Sequence, residues 1–186
     1  MTDEHSPTRE DAASFPVPPI AFTDGGGHRV TIEPFRAPDD DGFEALVAMY
    51  VDFDSSMRAQ GIPPVGERRV RAWLSTLVEA GSYNLVAWVG GRAIGHATLV
   101  PDGEDHELAI FVHQDYQGRG VGTRLIRALL GYGAANGVEA VWLTVERWND
   151  SAVALYEKVG LETTNSEALE LEMELDLSGA QTESTG

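Results

Sequence analysis

The sequence predicts a mixed α/β domain of the α+β type, about 150 residues long. Three observations predict it. Apolar residues switch repeatedly between a period near 3.6 and a period of two, so helices and strands interleave along one chain. Gly90-Gly91 between two apolar runs marks a tight hairpin, because glycine supplies the positive φ such a turn needs. A glycine-rich stretch then joins a strand to the longest helical pattern.

The elements follow in order. Val30, Ile32 and the segment to Arg36 form a first strand. Pro38 and Asp39-Asp40-Asp41 then start a helix, the acids meeting the positive end of its dipole, and Phe43, Leu46, Val47, Tyr50, Val51 and Met57 keep its period. After the Gly61-Ile62-Pro63-Pro64 break, Val70, Trp73, Leu74, Leu77 and Val78 mark a second helix. Tyr83 to Val89 and Arg92 to Val100 are the two arms of the hairpin, and His106 to His113 is another strand. Val121, Leu125, Ala128, Leu129 and Tyr132 line the long helix, which Gly137 ends. Ala140 to Glu146 is a strand, and Asp150 to Val159 is a short helix with Gly160 at its left-handed end. Leu169, Leu171, Met173, Leu175 and Leu177 alternate with acids in a half-exposed last strand. The order is β-α-α-β-β-β-α-β-α-β, with room for one more strand at the end.

Residues 1–28 carry Pro7, Pro16, Pro18, Pro19 and Gly25-Gly26-Gly27 with too little periodicity to define an element, so they read as a flexible tail. Residues 178–186 read as a second tail, leaving 29–177 as the domain.

The chain has 186 residues, 30 acids against 13 basic residues, a formal charge of −17, and no cysteine. Without cysteine there is no disulfide scaffold, thiolate metal site or Cys nucleophile. The acidic field repels phosphate backbones, so no nucleic-acid partner is expected; it favours cationic partners, and it also suits a halophilic protein kept hydrated in high salt. No apolar run reaches the length of a membrane span, and the start is acidic where a secretory signal would be basic, so a soluble cytoplasmic protein is expected. The histidines at 5, 28, 96, 106 and 113 show no metal-ligand spacing, and no metal is expected. His106 and His113, at strand ends, read as exposed and receive no role.

The chemistry concentrates in Val112-His113-Gln114-Asp115-Tyr116-Gln117-Gly118-Arg119-Gly120-Val121-Gly122-Thr123. Small residues let backbone approach a ligand, and the N–H groups of a first helical turn suit a diphosphate. From Leu108 to Val138 the only acid is Asp115, while Arg119, Arg124 and Arg127 are basic. A P-loop would need a lysine here, and a dinucleotide fingerprint would need glycine where Thr123 stands. Gln117, Gly120 and Gly122 do meet the pattern Gln/Arg-x-x-Gly-x-Gly/Ala. A second motif runs Asn149-Asp150-Ser151-Ala152-Val153-Ala154-Leu155-Tyr156-Glu157-Lys158-Val159-Gly160-Leu161.

In these two motifs, at this spacing and order, the chain resembles the GNAT superfamily of acyl-CoA-dependent N-acetyltransferases, with Leu161 where that family usually has Phe. The likeness runs from about Arg29 to Leu177. It implies a central, mostly antiparallel mixed sheet, splayed at the cofactor site and flanked by helices. It implies acetyl-CoA as co-substrate, an amine acceptor (a protein lysine or a small cationic amine), and direct transfer in a ternary complex. A non-catalytic acyl-CoA-binding regulatory module on the same fold is the alternative. By the same likeness Tyr156 is the general acid at the thioester sulfur, a position that also suits a core aromatic. Ile110, Phe111 and Val112 pair with pantetheine and offer the oxyanion an N–H. Gly118, Arg119, Gly120, Val121, Gly122 and Thr123 supply amides to the diphosphate, with Gln117 shaping the loop. Asn149 faces the pantetheine arm or caps the last helix. Glu107 is the implied base, directly or through water; the same position also suits a solvated carboxylate beside Glu104 and Asp105. In ribosomal-protein N-terminal acetyltransferases the base falls at the position of Thr144, a departure that argues against that acceptor. Glu146 is a further candidate base. Met57 to Pro64 is expected to form the acceptor wall. The family often forms dimers, and the alternating last strand offers a homodimer something to pair or pack with.

Overall fold

The computed structural model describes residues 14–35, 41–54, 63–79, 81–165 and 169–184. An eight-stranded sheet has the order β2-β3-β4-β5-β6-β7-β9-β8. Its strands are β2 (Ile20–Thr23), β3 (Arg29–Phe35), β4 (Tyr83–Val89), β5 (Arg92–Asp102), β6 (Asp105–Val112), β7 (Ala140–Glu146), β8 (Glu162–Asn165) and β9 (Glu170–Asp176). Neighbours are antiparallel except β6 and β7, which run parallel.

Period-two alternation in the strands feeds two cores. On one face Leu85, Ala87, Ile94, Ala97, Leu99 and Leu108 pack with Leu125, Ile126 and Leu129 of α3 (Val121–Ala135). On the other face Phe35, Val86 and Ala93 meet Phe43, Leu46, Val47 and Tyr50 of α1 (Asp41–Val51) and Val70, Leu74 and Val78 of α2 (Glu67–Glu79). Arg71 of α2 ties these two helices, donating to both carboxylate oxygens of Glu44 at 2.6 Å and to Glu67 at 3.0 Å. The hairpin turn at Gly90-Gly91 has φ of 55° and 83°, as its glycines require.

The β5/β6 pair runs for eight residue pairs, whereas β6 and β7 touch only at His106↔Val141 and Glu107↔Trp142. Beyond Glu107 the two strands part, and the sheet opens into a cleft. That is the splay expected of the fold.

Three sequence expectations are corrected. Residues 14–28 are not a tail: β1 (Ser14–Val17) pairs in parallel with β10 (Gln181–Ser184), and β2 joins the main sheet against β3. Phe15 is fully buried in the α3 core, worth about 2–3 kcal/mol of apolar burial. These strands are four residues long, too short to show a period, and β1 finds its partner at the other end of the chain. Part of 178–186 is likewise strand. Finally, β9 lies between β7 and β8, so pairing with a second copy through its edge is closed. The helix start at Pro38 to Asp40, Met57, and the acceptor wall up to Ile62 lie outside the described residues. No helix among the described residues is long and apolar enough to cross a membrane.

Candidate active site

The glycine-rich loop leaves β6 through a single 3-10 turn, Gln114–Tyr116, and ends at the start of α3. Gly118 and Gly120 take left-handed φ of 68° and 80° on either side of Arg119, a path L-residues resist. Gln117 holds the loop to the strand it came from, its Nε2 donating to Val112 O at 2.9 Å. Val121 is buried and pins the helix start in the core. Gly120 stands at the N-cap with no side-chain cap bond, so the first-turn amides of α3 are left without a side-chain acceptor.

His113 N donates to Ile94 O, which turns the backbone groups of His113 toward β5. By alternation Leu108, Ile110 and Val112 direct their N–H and C=O groups to the opposite, opened edge, while those of Phe111 face β5. The cleft at that edge has a volume of about 440 Å³. Of the residues singled out by sequence, Glu107, Ile110, Phe111, Val112, Gln117, Gly118, Gly122, Asn149 and Tyr156 line it together. Arg119, Gly120, Val121 and Thr123 are not among its lining residues.

The far wall is α4 (Asp150–Val159). Asn149 caps it, its side-chain oxygen accepting from Ala152 N at 3.3 Å and from Ser151 Oγ at 3.2 Å, and still lines the cleft, so its two sequence readings coexist. Tyr156 sits in the last turn, where Leu161 N donates to its carbonyl at 3.0 Å beyond left-handed Gly160. Burial pushes its phenol up to about 12, so the hydroxyl keeps its proton. No hydrogen bond among the described residues engages that hydroxyl. Glu107, Glu146 and Glu170 all reach the cleft beside Thr144, and among the described residues no Lys, Arg or His lines it. One end thus offers backbone amides to an anion, and the walls offer carboxylates to a cation. Among the described residues no group of three or more His, Asp or Glu is arranged to hold a metal ion.

Sequence reasoning missed two features. Phe53 lines the cleft and lies with Tyr50 and Phe111 in an aromatic cluster; its spacing of three from Tyr50 was the available signal. His113 was read as exposed and is fully buried. Its Nδ1 accepts from Asp115 N at 3.3 Å, and its Nε2 lies 3.0 Å from Asp52 Oδ2, just beyond α1. Gln114 strengthens the same junction, donating to Asp52 O at 2.8 Å. No local pattern announces a partner 61 residues away.

Residues 45–161 match the acetyltransferase (GNAT) family. The chain is 42% identical over 78 residues to the N-alpha-acetyltransferase RimI of Mycobacterium tuberculosis, a match covering 39% of this chain and 48% of that one. The chain thus spans about half the length of that relative, and less of others it matches. The GNAT domain of S. lividans PAT superposes with a TM-score of 0.71 at 17% identity, covering 84% of this chain and 96% of that one. The structure of yncA from Salmonella typhimurium with its cofactor acetyl-CoA gives 0.63 at 21% identity, over 80% of this chain and 94% of that one.

Proposed function

Because the chain belongs to the acetyltransferase (GNAT) family, we propose that it transfers an acetyl group from acetyl-CoA to a primary amine, a protein lysine or a small cationic amine, by direct attack in a ternary complex. One observation carries the reading. The cleft opened where β6 leaves β7 brings loop glycines, the β6 edge, carboxylates and a half-buried protonated tyrosine to one cavity.

The residues suit the chemistry. The diphosphate of CoA fits the uncapped first turn of α3, and pantetheine fits alongside the open edge of β6. The acceptor must lose a proton before it attacks. Glu107 takes it, directly or through water, and the nitrogen lone pair then adds to the thioester carbonyl. Negative charge gathers on the carbonyl oxygen, where an N–H of Ile110 or Val112 stabilises it; one such donor is typically worth about 10²-fold or more in rate. As the tetrahedral centre collapses, the C–S bond breaks, Tyr156 gives its proton to the departing sulfur, and the second proton that the attacking nitrogen must shed returns to the Tyr156 oxygen, directly or through water. With no cysteine in the chain, an acetyl-Cys route is closed.

A second acceptor reading has its own support. RimI, by name an N-alpha-acetyltransferase, points to an α-amine as acceptor. Release of free CoA thiol from acetyl-CoA, followed against lysine peptides, peptides with free N-termini, polyamines and amino sugars, tests both readings. Turnover on one class identifies the acceptor. Thermal stabilisation by CoA with no turnover on any amine would overturn the enzyme in favour of a binding module.

A further inference from the structure

The arginines around the glycine-rich loop, the locally basic stretch of the sequence, each contact residues 14–28, and Arg124 also donates to Gly120 O of the loop at 3.2 Å. Arg127 donates to Ser14 O at 2.7 Å and covers Phe15, and Arg124 lies 4.6 Å over the ring of Phe22. Arg119 is held most completely. Its carbonyl accepts from Gly25 N at 3.0 Å, and its Nη1 lies 3.3 Å from His28 Nδ1 and 3.9 Å from Asp24 Oδ2. The guanidinium also rests 5.4 Å from the centre of the Tyr116 ring, which meets His28 edge-on at 5.7 Å.

We propose that the turn from Asp24 to His28 is a buttress for the diphosphate loop, and that Arg119 serves the cofactor as a positioning residue held from behind rather than as a phosphate ligand. The inference rests on the acetyl-CoA reading above.

Four observations converge on it. The Asp24 carboxylate has no solvent exposure and is itself fixed, accepting from Gly26 N at 2.9 Å and His28 N at 2.8 Å, so it presents a rigid charge to Arg119. The packing is close: a Cβ added at Gly26 would lie 2.6 Å from Arg119 Nη1. Arg119 stands between two left-handed glycines, the least constrained residues available, so the loop carries no stiffness of its own there. Tying its central residue through both backbone and side chain removes freedom that binding would otherwise have to freeze out. Arg119 is also absent from the cleft lining, whereas Gln117, Gly118 and Gly122 are present.

The two roles for Arg119 predict opposite signs for one variant. If Asp24 merely restrains a phosphate ligand, Asp24→Asn frees the guanidinium and tightens CoA binding. If it is a buttress, Asp24→Asn loosens the loop and weakens binding. Calorimetry on the full chain, with CoA and with pantetheine, which lacks the diphosphate, decides. We expect Asp24→Asn, Arg119→Ala and Gly26→Ala each to weaken CoA binding about threefold to tenfold, the scale of one supporting hydrogen bond, with pantetheine unchanged. The double variant Asp24→Asn/Arg119→Ala should be no weaker than Arg119→Ala alone, since both act through one contact. Unchanged or tighter CoA binding by Asp24→Asn overturns the proposal, as does an equal loss for CoA and pantetheine, which is the mark of general damage. Gly26→Ala removes no charge and no hydrogen-bonding group; if Asp24→Asn fails to fold, undiminished CoA affinity in Gly26→Ala overturns the proposal by itself. A wild-type chain that binds no CoA would overturn the acetyl-CoA reading instead, and this inference with it.

Discussion

The hydroxyl of Tyr50 on α1 donates to Nδ1 of His96 on β5 across 2.7 Å, and neither side chain reaches solvent. The partners set the tautomer. Asn84 Oδ1, 3.0 Å from Nε2, only accepts, so Nε2 holds the proton and Nδ1 receives one from Tyr50. Asn84 Nδ2 donates onward to Ser82 Oγ at 2.8 Å, and Ser82 to the carbonyl of Leu77 at the end of α2. This polar line crosses the second core and joins both helices to the sheet beneath the aromatic cluster of the cleft.

Burial holds the His96 imidazole down at about 4 from an ordinary 6.5. Between those values the unfolded chain binds a proton that the folded chain refuses. The stabilisation is therefore complete above about pH 6.5 and is lost as pH falls toward 4, an effect on the order of 3 kcal/mol. Urea unfolding between pH 4.5 and 7 should show a steeper loss of stability in the wild type than in His96→Gln. Parallel curves would refute the buried neutral imidazole.

Tyr156→Phe should lower turnover about 10²-fold while CoA affinity stays within about twofold, because the hydroxyl is needed only when the sulfur departs. Since burial raises the phenol to about 12, Tyr156 remains protonated throughout the ordinary working range. The wild-type rate should then show no fall from its ionisation below about pH 11. Turnover unchanged by the substitution would remove the general-acid role.

Glu107→Gln should cut turnover by about 10²-fold at neutral pH without weakening CoA binding. Glu146→Gln serves as the comparison, since both carboxylates line the cleft. Steady-state rates for the two variants, measured with the acceptor identified above, assign the base. A larger loss in Glu146→Gln transfers the role to that residue.

Gly131→Ala should destabilise the fold by about 1–3 kcal/mol through overpacking. A Cβ there would run into Pro16 O and stand 2.8 Å from Pro16 C, backbone atoms of β1 that cannot swing aside as a side chain would. The expected signature is a lower melting temperature together with faster proteolysis near residues 14–28. A variant melting with the wild type would show that β1 does not sit this closely on α3.

Element types were legible wherever the period ran long. α3 keeps Leu125, Ala128, Leu129 and Tyr132 on one side, and β9 alternates over its whole length, so both were readable without a partner in view. The cleft residues were legible for a different reason. Left-handed glycines and an uncapped helix start are local backbone requirements that leave local residues, whereas Tyr156, Asn149, Glu107 and the β6 edge were legible only through the likeness of the two motifs to the GNAT family. Charge was the misleading signal. Arg119, Arg124 and Arg127 made the loop look positive toward the cleft, yet a long side chain chooses its direction from whatever packs beside it.

What the sequence determined by itself is the alternation of helices and strands and the glycine loop at the head of α3. Each depends on φ preferences and on apolar spacing within a dozen residues. Only the tertiary structure decided that residues 14–28 brace the loop, that His113 is buried against Asp52, and that β6 and β7 separate after Glu107. Those outcomes depend on contacts between residues about 60 to 90 positions apart, or on how two strands diverge in space. Their free energy comes from packing and paired charge once the chain has closed on itself, and no short window of sequence contains both partners.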